Sequence, residues 1–144
     1  MVGETPLVFI SHSGDDTWVA RQLAAKITAS GARTFLDIAD IQFADAPDEK
    51  IYQALMDAAE LVVLLTPSAL DRPWVWMEIS LAHFREPSCP IIVLLQGLSR
   101  RDFLGMEKVP AFLKPEDIIP LNEVDRYFDN LKMRIRGTGD DSKI

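Results

Sequence analysis

A tryptophan and a glutamate four residues apart, Trp74 and Glu78, are the pair most suited to chemistry in this sequence. Both lie within residues 73–80, a stretch that reads as a helix, and residues four apart on a helix are neighbours on one face. The indole would form a flat apolar wall beside the carboxylate, which makes a plausible half of a pocket. Spacing alone fits better with a tryptophan at the edge of the core and a solvated glutamate. Whether the pair forms a pocket or only a structural contact depends on where the rest of the chain places it.

Composition restricts the classes of function. The 144 residues are enough for one domain with one core. A formal net charge of -7 argues against binding to nucleic acid or to an anionic membrane. The single cysteine, Cys89, excludes an internal disulfide and a metal site made of several thiolates, and it suits a reducing compartment. The longest apolar runs are too short to span a bilayer, so we expect a cytoplasmic protein.

The elements that must position the pair follow from hydrophobic periodicity. Short apolar runs predict strands at 7–10, 34–36, 61–65, 91–95 and 118–121. Helical patterns fill the intervals after the first, second, third and last of these runs, and Pro73 opens the helix that carries Glu78. Strands that alternate with helices, two of them unbroken apolar runs, predict an α/β fold: a flavodoxin-like, doubly wound, five-stranded parallel sheet with helices on both faces.

Domain boundaries and loops complete this prediction. We expect one domain over residues 1–137 and a disordered polar tail over 138–144. In a doubly wound sheet, ligands bind at the carboxyl ends of the strands near the switch point. Residues 11–15, 37–47 and 66–74 emerge at that edge, so these loops and the start of the helix that carries Trp74 and Glu78 should converge.

Four short motifs in register give the sequence a family resemblance. They are Phe9-Ile10-Ser11-His12-Ser13 with Asp16, Phe35-Leu36-Asp37, Leu64-Leu65-Thr66-Pro67-Ser68 and Trp74-Val75-Trp76-Met77-Glu78. In order and spacing they resemble the Toll/interleukin-1 receptor (TIR) domain over residues 5–136. With its Trp-x-x-x-Glu motif intact, the sequence is similar to the NAD-cleaving TIR proteins of prokaryotic defence systems.

The resemblance implies an activity and a site. Enzymatic members of the family cleave NAD+ at the nicotinamide-ribose bond, with nicotinamide and ADP-ribose or a cyclic isomer as products, and their catalytic glutamate corresponds to Glu78. NAD+ would be a substrate and no cofactor is implied. The implied partners are other TIR domains and a sensing protein or domain. Residues 38–47 match the BB loop, which governs assembly and access in the family, although Ala44-Asp45-Ala46-Pro47 replaces the glycine common there. The candidate substrate-binding residues are Trp74, Ser11, His12, Ser13, Asp37 and Asp45.

The residue types alone leave more than one role for several side chains. His12 could touch the ligand or act as a base, but bracing its loop fits better, and Asp37 could equally anchor the loop that follows. Arg33 and Arg72 could neutralise phosphate, although surface arginines are usually solvated. His83 is expected on the exposed side of its helix without a role. Trp76 should point away from Glu78 and serve packing or assembly.

Competing functions also stay open. A non-enzymatic adaptor that acts by homotypic TIR contacts is the main alternative, and a nucleoside deoxyribosyltransferase would share the fold style and a glutamate. A receiver domain is disfavoured because its acidic pair and later lysine do not occur together. Without a Gly-x-Gly-x-x-Gly there is no sign of a Rossmann redox cofactor.

Overall fold

The computed structural model describes residues 5–36 and 48–139. Asp37, Asp45 and the whole 38–47 loop, which the sequence analysis assigned to the site, lie outside the described residues. So do residues 140–144 of the predicted tail.

The sheet has the predicted architecture. Its strands are β1 (Leu7–Ser11), β2 (Arg33–Leu36), β3 (Glu60–Leu65), β4 (Ile91–Leu95) and β5 (Ile118–Pro120). They are arranged in the order β2-β1-β3-β4-β5, and all four neighbouring pairs are parallel. This order makes β1 and β3 adjacent, with the chain running outwards from them in both directions, so the switch point of the sheet lies between these two strands.

Helices cover both faces of this sheet. They are α1 (Thr17–Ala29), α2 (Asp48–Asp57), α3 (Pro67–Leu70), α4 (Pro73–Phe84), α5 (Arg100–Leu104) and α6 (Val124–Gly139). Side chains of β3 alternate between the two faces, with Leu61 and Val63 in the core under α2 and α4, and Val62 and Leu64 in the core under α1 and α6. A strand buried on both faces has to be apolar throughout, which explains its unbroken run.

Helix ends follow local chemistry, with two departures from the prediction. Gly31 ends α1 at a φ of 110°, a left-handed value that favours glycine. The short helix α3 was not predicted, since Thr66-Pro67-Ser68 was read as a break; the Thr66 hydroxyl accepts from the Ala69 amide at 3.1 Å and caps it. Helix α6 runs to Gly139, so residues 138 and 139 are helical where the polar tail was expected to begin.

A buried carboxylate ties α6 to the amino end of β3. Glu60 is 6% exposed; it accepts a short hydrogen bond from the Tyr127 hydroxyl and hydrogen bonds from Arg134 Nη2 at 2.8 and 3.1 Å. Burial, together with the neighbouring Glu60 carboxylate, raises the pKa of the Tyr127 phenol. No pattern in the sequence indicated this cluster.

Across residues 5–36 and 48–139, no helix combines the length and the apolar character needed to cross a bilayer.

Candidate functional site

Glu78 is a buried carboxylate at the carboxyl edge of the sheet. Pro73 starts α4, and the helix turns Glu78 inwards beside Val75 and Ile79, which belong to the core. Glu78 is only 1% exposed, and the Ser11 hydroxyl at the end of β1 donates a hydrogen bond of 2.5 Å to its Oε1. The solvated glutamate that spacing alone favoured is therefore wrong. A charge buried this deeply needs such donors, because burial without them is costly.

Trp74 connects the first turn of α4 to β1. Its indole Nε1 donates to the backbone carbonyl of His12 at 3.3 Å, and the residue is half-buried. Glu78 thus contacts the side chain of the last residue of β1, Ser11, and Trp74 contacts the backbone of the next residue, His12. Two hydrogen bonds therefore connect α4 to the end of β1: one from an indole to a backbone carbonyl, and one from a hydroxyl to a carboxylate.

The loop after β1 is also joined to the loop after β3. Ser13 is fully buried, and its hydroxyl lies 2.7 Å from that of Ser68. The Thr66 hydroxyl donates to Asp16 at 2.5 Å. Ser68 and Thr66 were not candidates from the sequence, although their position directly after a buried strand is a usable signal. His12 is buried, with Nε2 3.5 Å from the Thr17 hydroxyl, which agrees with a role in bracing the loop.

The two candidate arginines are separated by the structure. Arg72 lies at the start of α4, where its guanidinium contacts Ser13, Asp15 and Ser68. Arg33 begins β2, at the opposite end of the sheet, and its Nε donates to the carbonyl of Thr5 at 3.1 Å. Of these two arginines, only Arg72 lies at the same edge of the sheet as Glu78.

Two other predictions from α4 have definite outcomes. His83 is not on an exposed face: it is half-buried, and its ring is stacked on that of Phe112 with centroids 3.7 Å apart and planes within 1°. The helix packs there against the segment before β5, which periodicity could not indicate. Trp76 donates its Nε1 to the Leu70 carbonyl at 3.0 Å, so it packs α4 against α3, in line with a packing role.

Comparison with known proteins identifies the family. The family model described as "TIR domain" matches residues 8–126, which include β1 from its second residue, all of β2 to β5 and the whole of α4. The chain belongs to the TIR-domain family.

One curated relative and two solved structures are similar to this TIR domain. It is 33% identical over 122 residues to a probable 2' cyclic ADP-D-ribose synthase of Brachypodium distachyon, a match that covers 83% of this chain and 52% of the relative. The chain therefore spans about half the length of that protein. The TIR domain of a Toll-related receptor from Hydra magnipapillata superposes with a TM-score of 0.63 at 23% identity, covering 90% of this chain and 97% of the receptor domain. A prokaryotic SEFIR domain gives 0.52 at 18%, covering 91% and 92%. At these identities the two structures support the fold alone.

The chemistry available at the site of this TIR domain is that of an oriented carboxylate. Within the described residues, no group of three or more His, Cys, Asp or Glu side chains could hold a metal ion. What the carboxyl edge does bring together is the Glu78 carboxylate, the hydroxyls of Ser11, Ser13 and Ser68, an indole and a guanidinium. Such a set can stabilise positive charge on a sugar ring and bind its hydroxyl and phosphate groups.

Proposed function

We propose that this TIR domain cleaves the bond between nicotinamide and ribose in NAD+, with Glu78 as the catalytic residue. The observation that carries the proposal is the position of Glu78: its carboxylate is buried at the switch point, and the Ser11 hydroxyl orients it at 2.5 Å. The name of the Brachypodium distachyon relative, a probable 2' cyclic ADP-D-ribose synthase, supports chemistry on ADP-ribose compounds.

A single carboxylate is sufficient for this reaction. Most glycosidases need a second carboxyl group because the departing alkoxide has to be protonated. Nicotinamide leaves NAD+ as a neutral molecule: the electron pair of the broken bond moves to the ring nitrogen and cancels its positive charge. Glu78 then has to stabilise the positive charge that develops on the ribose and to hold the ribose hydroxyls.

Trp74 contributes the wall of the proposed site. Its indole is fixed at one edge by the hydrogen bond to the His12 carbonyl, so the ring face is held in a constant orientation one turn before Glu78. This ring face can lie along the nicotinamide ribose or next to the cationic nicotinamide, and the second contact contributes about 0.5 to 2 kcal/mol. Ser11, His12 and Ser13 complete the substrate-binding set within the described residues, and Asp37 and Asp45 remain proposals from the sequence.

The acceptor determines the product. Attack by water on the ribosyl carbon gives ADP-ribose and a proton, whereas attack by a hydroxyl group of the same molecule gives a proton and a cyclic ADP-ribose, which contains one water molecule less than ADP-ribose. We propose an enzyme of either kind, active when TIR domains self-associate and serving in defence signalling. An exposed apolar groove of about 370 Å³ between α2 and α4 supports self-association; it is lined by Tyr52, Met56, Met77, Ser80, Leu81, Phe84 and Arg85.

The same groove favours a second candidate function, a non-enzymatic adaptor. Tyr52, Met77 and Phe84 are 51%, 53% and 72% exposed, and large exposed apolar side chains grouped in one place mark interaction surfaces. An adaptor would need this surface and would not need Glu78.

Consumption of NAD+ by concentrated or artificially clustered protein separates the two functions. The Glu78→Gln variant keeps the size of the side chain and its capacity to accept from Ser11, and removes the charge. We expect it to reduce cleavage roughly a hundredfold or more, as loss of an electrostatic stabiliser does elsewhere. Cleavage by clustered Glu78→Gln at the wild-type rate would refute the assignment, and an inactive wild type would favour the adaptor.

A further inference from the structure

Within residues 5–36 and 48–139, Arg72 is the arginine that contacts the loop after β1 at the carboxyl edge of the sheet. Its Nε donates to the Ser13 hydroxyl at 3.3 Å, and its Nη2 lies 3.3 Å from an Asp15 carboxylate oxygen and 3.4 Å from the Ser68 hydroxyl. Its Cζ lies 5.9 Å from the centroid of the Trp74 ring. The guanidinium is thus contacted from the loop after β1, from α3 and from the first turn of α4.

The position of Arg72 relative to Glu78 suits a dinucleotide. The two residues are six apart at the start of α4, a rise of about 9 Å along a helix axis. The pyrophosphate of NAD+ lies one ribose away from the bond that breaks. A substrate whose reacting carbon faces Glu78 and whose sugar lies along Trp74 would therefore bring its phosphates towards Arg72.

We propose that Arg72 binds the pyrophosphate of the substrate, and that Asp15 holds the guanidinium in place until the phosphate displaces it. This inference rests on the proposed function. A guanidinium donates two parallel hydrogen bonds to a phosphate, and such charged, paired bonds are among the strongest in proteins. The Ser68 hydroxyl donates to the same Asp15 oxygen at 2.9 Å and would donate to a phosphate oxygen in its place, whereas the buried Ser13 hydroxyl keeps accepting from Arg72 Nε.

Asp15 is suited to be displaced. Its side chain is 70% exposed and that of Arg72 is 37% exposed, and ion pairs this open to solvent contribute little. Asp15 Oδ2 also accepts from the Ser68 hydroxyl at 2.9 Å, so the carboxylate occupies the position of an anion through contacts that are open to water. It also repels an approaching phosphate, so Asp15 lowers the affinity of the site for the substrate while it keeps Arg72 ordered.

The test measures binding of ADP-ribose by calorimetry and turnover of NAD+ separately, in the full chain. We expect Arg72→Gln to raise both the Kd for ADP-ribose and the KM for NAD+ about tenfold, with kcat within twofold of wild type, because charged phosphate contacts outside the reacting centre contribute mainly to binding. Asp15→Asn should lower the same Kd about threefold, since the competing charge is gone. Arg33→Gln is the matched control: it loses the same charge at the opposite end of the sheet and should leave both constants unchanged.

A substrate without phosphate makes the test specific. Cleavage of nicotinamide riboside should be the same in Arg72→Gln and wild type. An unchanged Kd for ADP-ribose in Arg72→Gln, an equal loss with nicotinamide riboside, or no binding of ADP-ribose by wild type would overturn the inference. A wild-type protein that binds ADP-ribose through Arg72 but does not cleave NAD+ would support this inference and refute the proposed activity, so the two can fail independently.

Discussion

Two glutamates are buried at opposite ends of the same sheet, and their surroundings differ. Glu60 starts β3 and is bound by the Tyr127 hydroxyl and the Arg134 guanidinium, both from α6. Glu78 projects from α4 at the carboxyl ends of the strands and accepts from Ser11 of β1. Glu60 is therefore held by residues of a helix that covers the sheet, whereas Glu78 lies beside loops that meet at the switch point.

Burial of a carboxylate is thus no measure of function. Glu60 and Glu78 are 6% and 1% exposed, so accessibility does not separate them. Their place in the topology does, because the carboxyl edge of a parallel sheet is where connecting loops leave room for a ligand. A buried carboxylate at the amino edge, bound to a cation from a covering helix, has the properties of a structural connection instead.

The contrast between the two glutamates predicts its largest effect on stability for Glu60→Gln. The substitution leaves the shape intact but weakens the bonds from Tyr127 and Arg134, and hydrogen bonds to a charged group contribute about 1.5 to 3 kcal/mol each. We expect the free energy of unfolding to fall by about 2 kcal/mol in urea titrations, with NAD+ cleavage per folded molecule unchanged. Glu78→Gln should show the reverse pattern. If Glu60→Gln abolished cleavage without loss of stability, the contrast between the two glutamates would be wrong.

A smaller effect is expected for Ser11→Ala at the other end of the sheet. The variant removes the donor that orients Glu78 and leaves the carboxylate in place. Loss of one hydrogen bond to a charged group predicts a fall in kcat/KM of roughly tenfold. Ser30→Ala is the control, since that hydroxyl donates to a helix carbonyl at the exposed end of α1. Equal kcat/KM values for wild type and Ser11→Ala would show that Ser11 has no part in positioning Glu78.

The smallest effect is a pH dependence at the Glu60 end. Because burial raises the pKa of Tyr127, the folded chain keeps the phenol proton to a higher pH than the unfolded chain does, in which tyrosine titrates near about pH 10. The contribution of Tyr127 to stability is complete below that pH and declines above it. At about pH 10.5, wild type should have lost about 0.8 kcal/mol more than Tyr127→Phe relative to pH 8. Identical pH profiles of urea unfolding would contradict the burial of this phenol.

Much of the fold could be predicted from the chain. Buried strands such as β3 and β4 have to be apolar on both faces, so their unbroken runs identify them without any tertiary information. Pro73 and Gly31 mark helix ends through their own backbone preferences. Helix α3 escaped prediction because four residues carry no periodicity and its Thr66 cap resembles a loop.

The site was predictable in part. Four motifs in register pointed to Glu78 and Trp74. They did not predict that Glu78 is buried, because its burial depends on the packing of α4 against the end of β1. His83 shows the same limitation: its ring is covered by Phe112, 29 residues later in the chain. Contacts between distant segments leave no period in the sequence, so patterns along one helix cannot predict them.

For this protein, the sequence by itself determined the strands, the main helices, the doubly wound order and the family, because these follow from local periodicity and from motifs at fixed spacing. Only the tertiary structure decided which polar residues meet. It buried Glu78 against Ser11, placed Arg72 among Ser13, Asp15 and Ser68, and left Arg33 at the far end of the sheet. The physical reason is that the loops after β1 and β3 converge only when the two strands pair side by side.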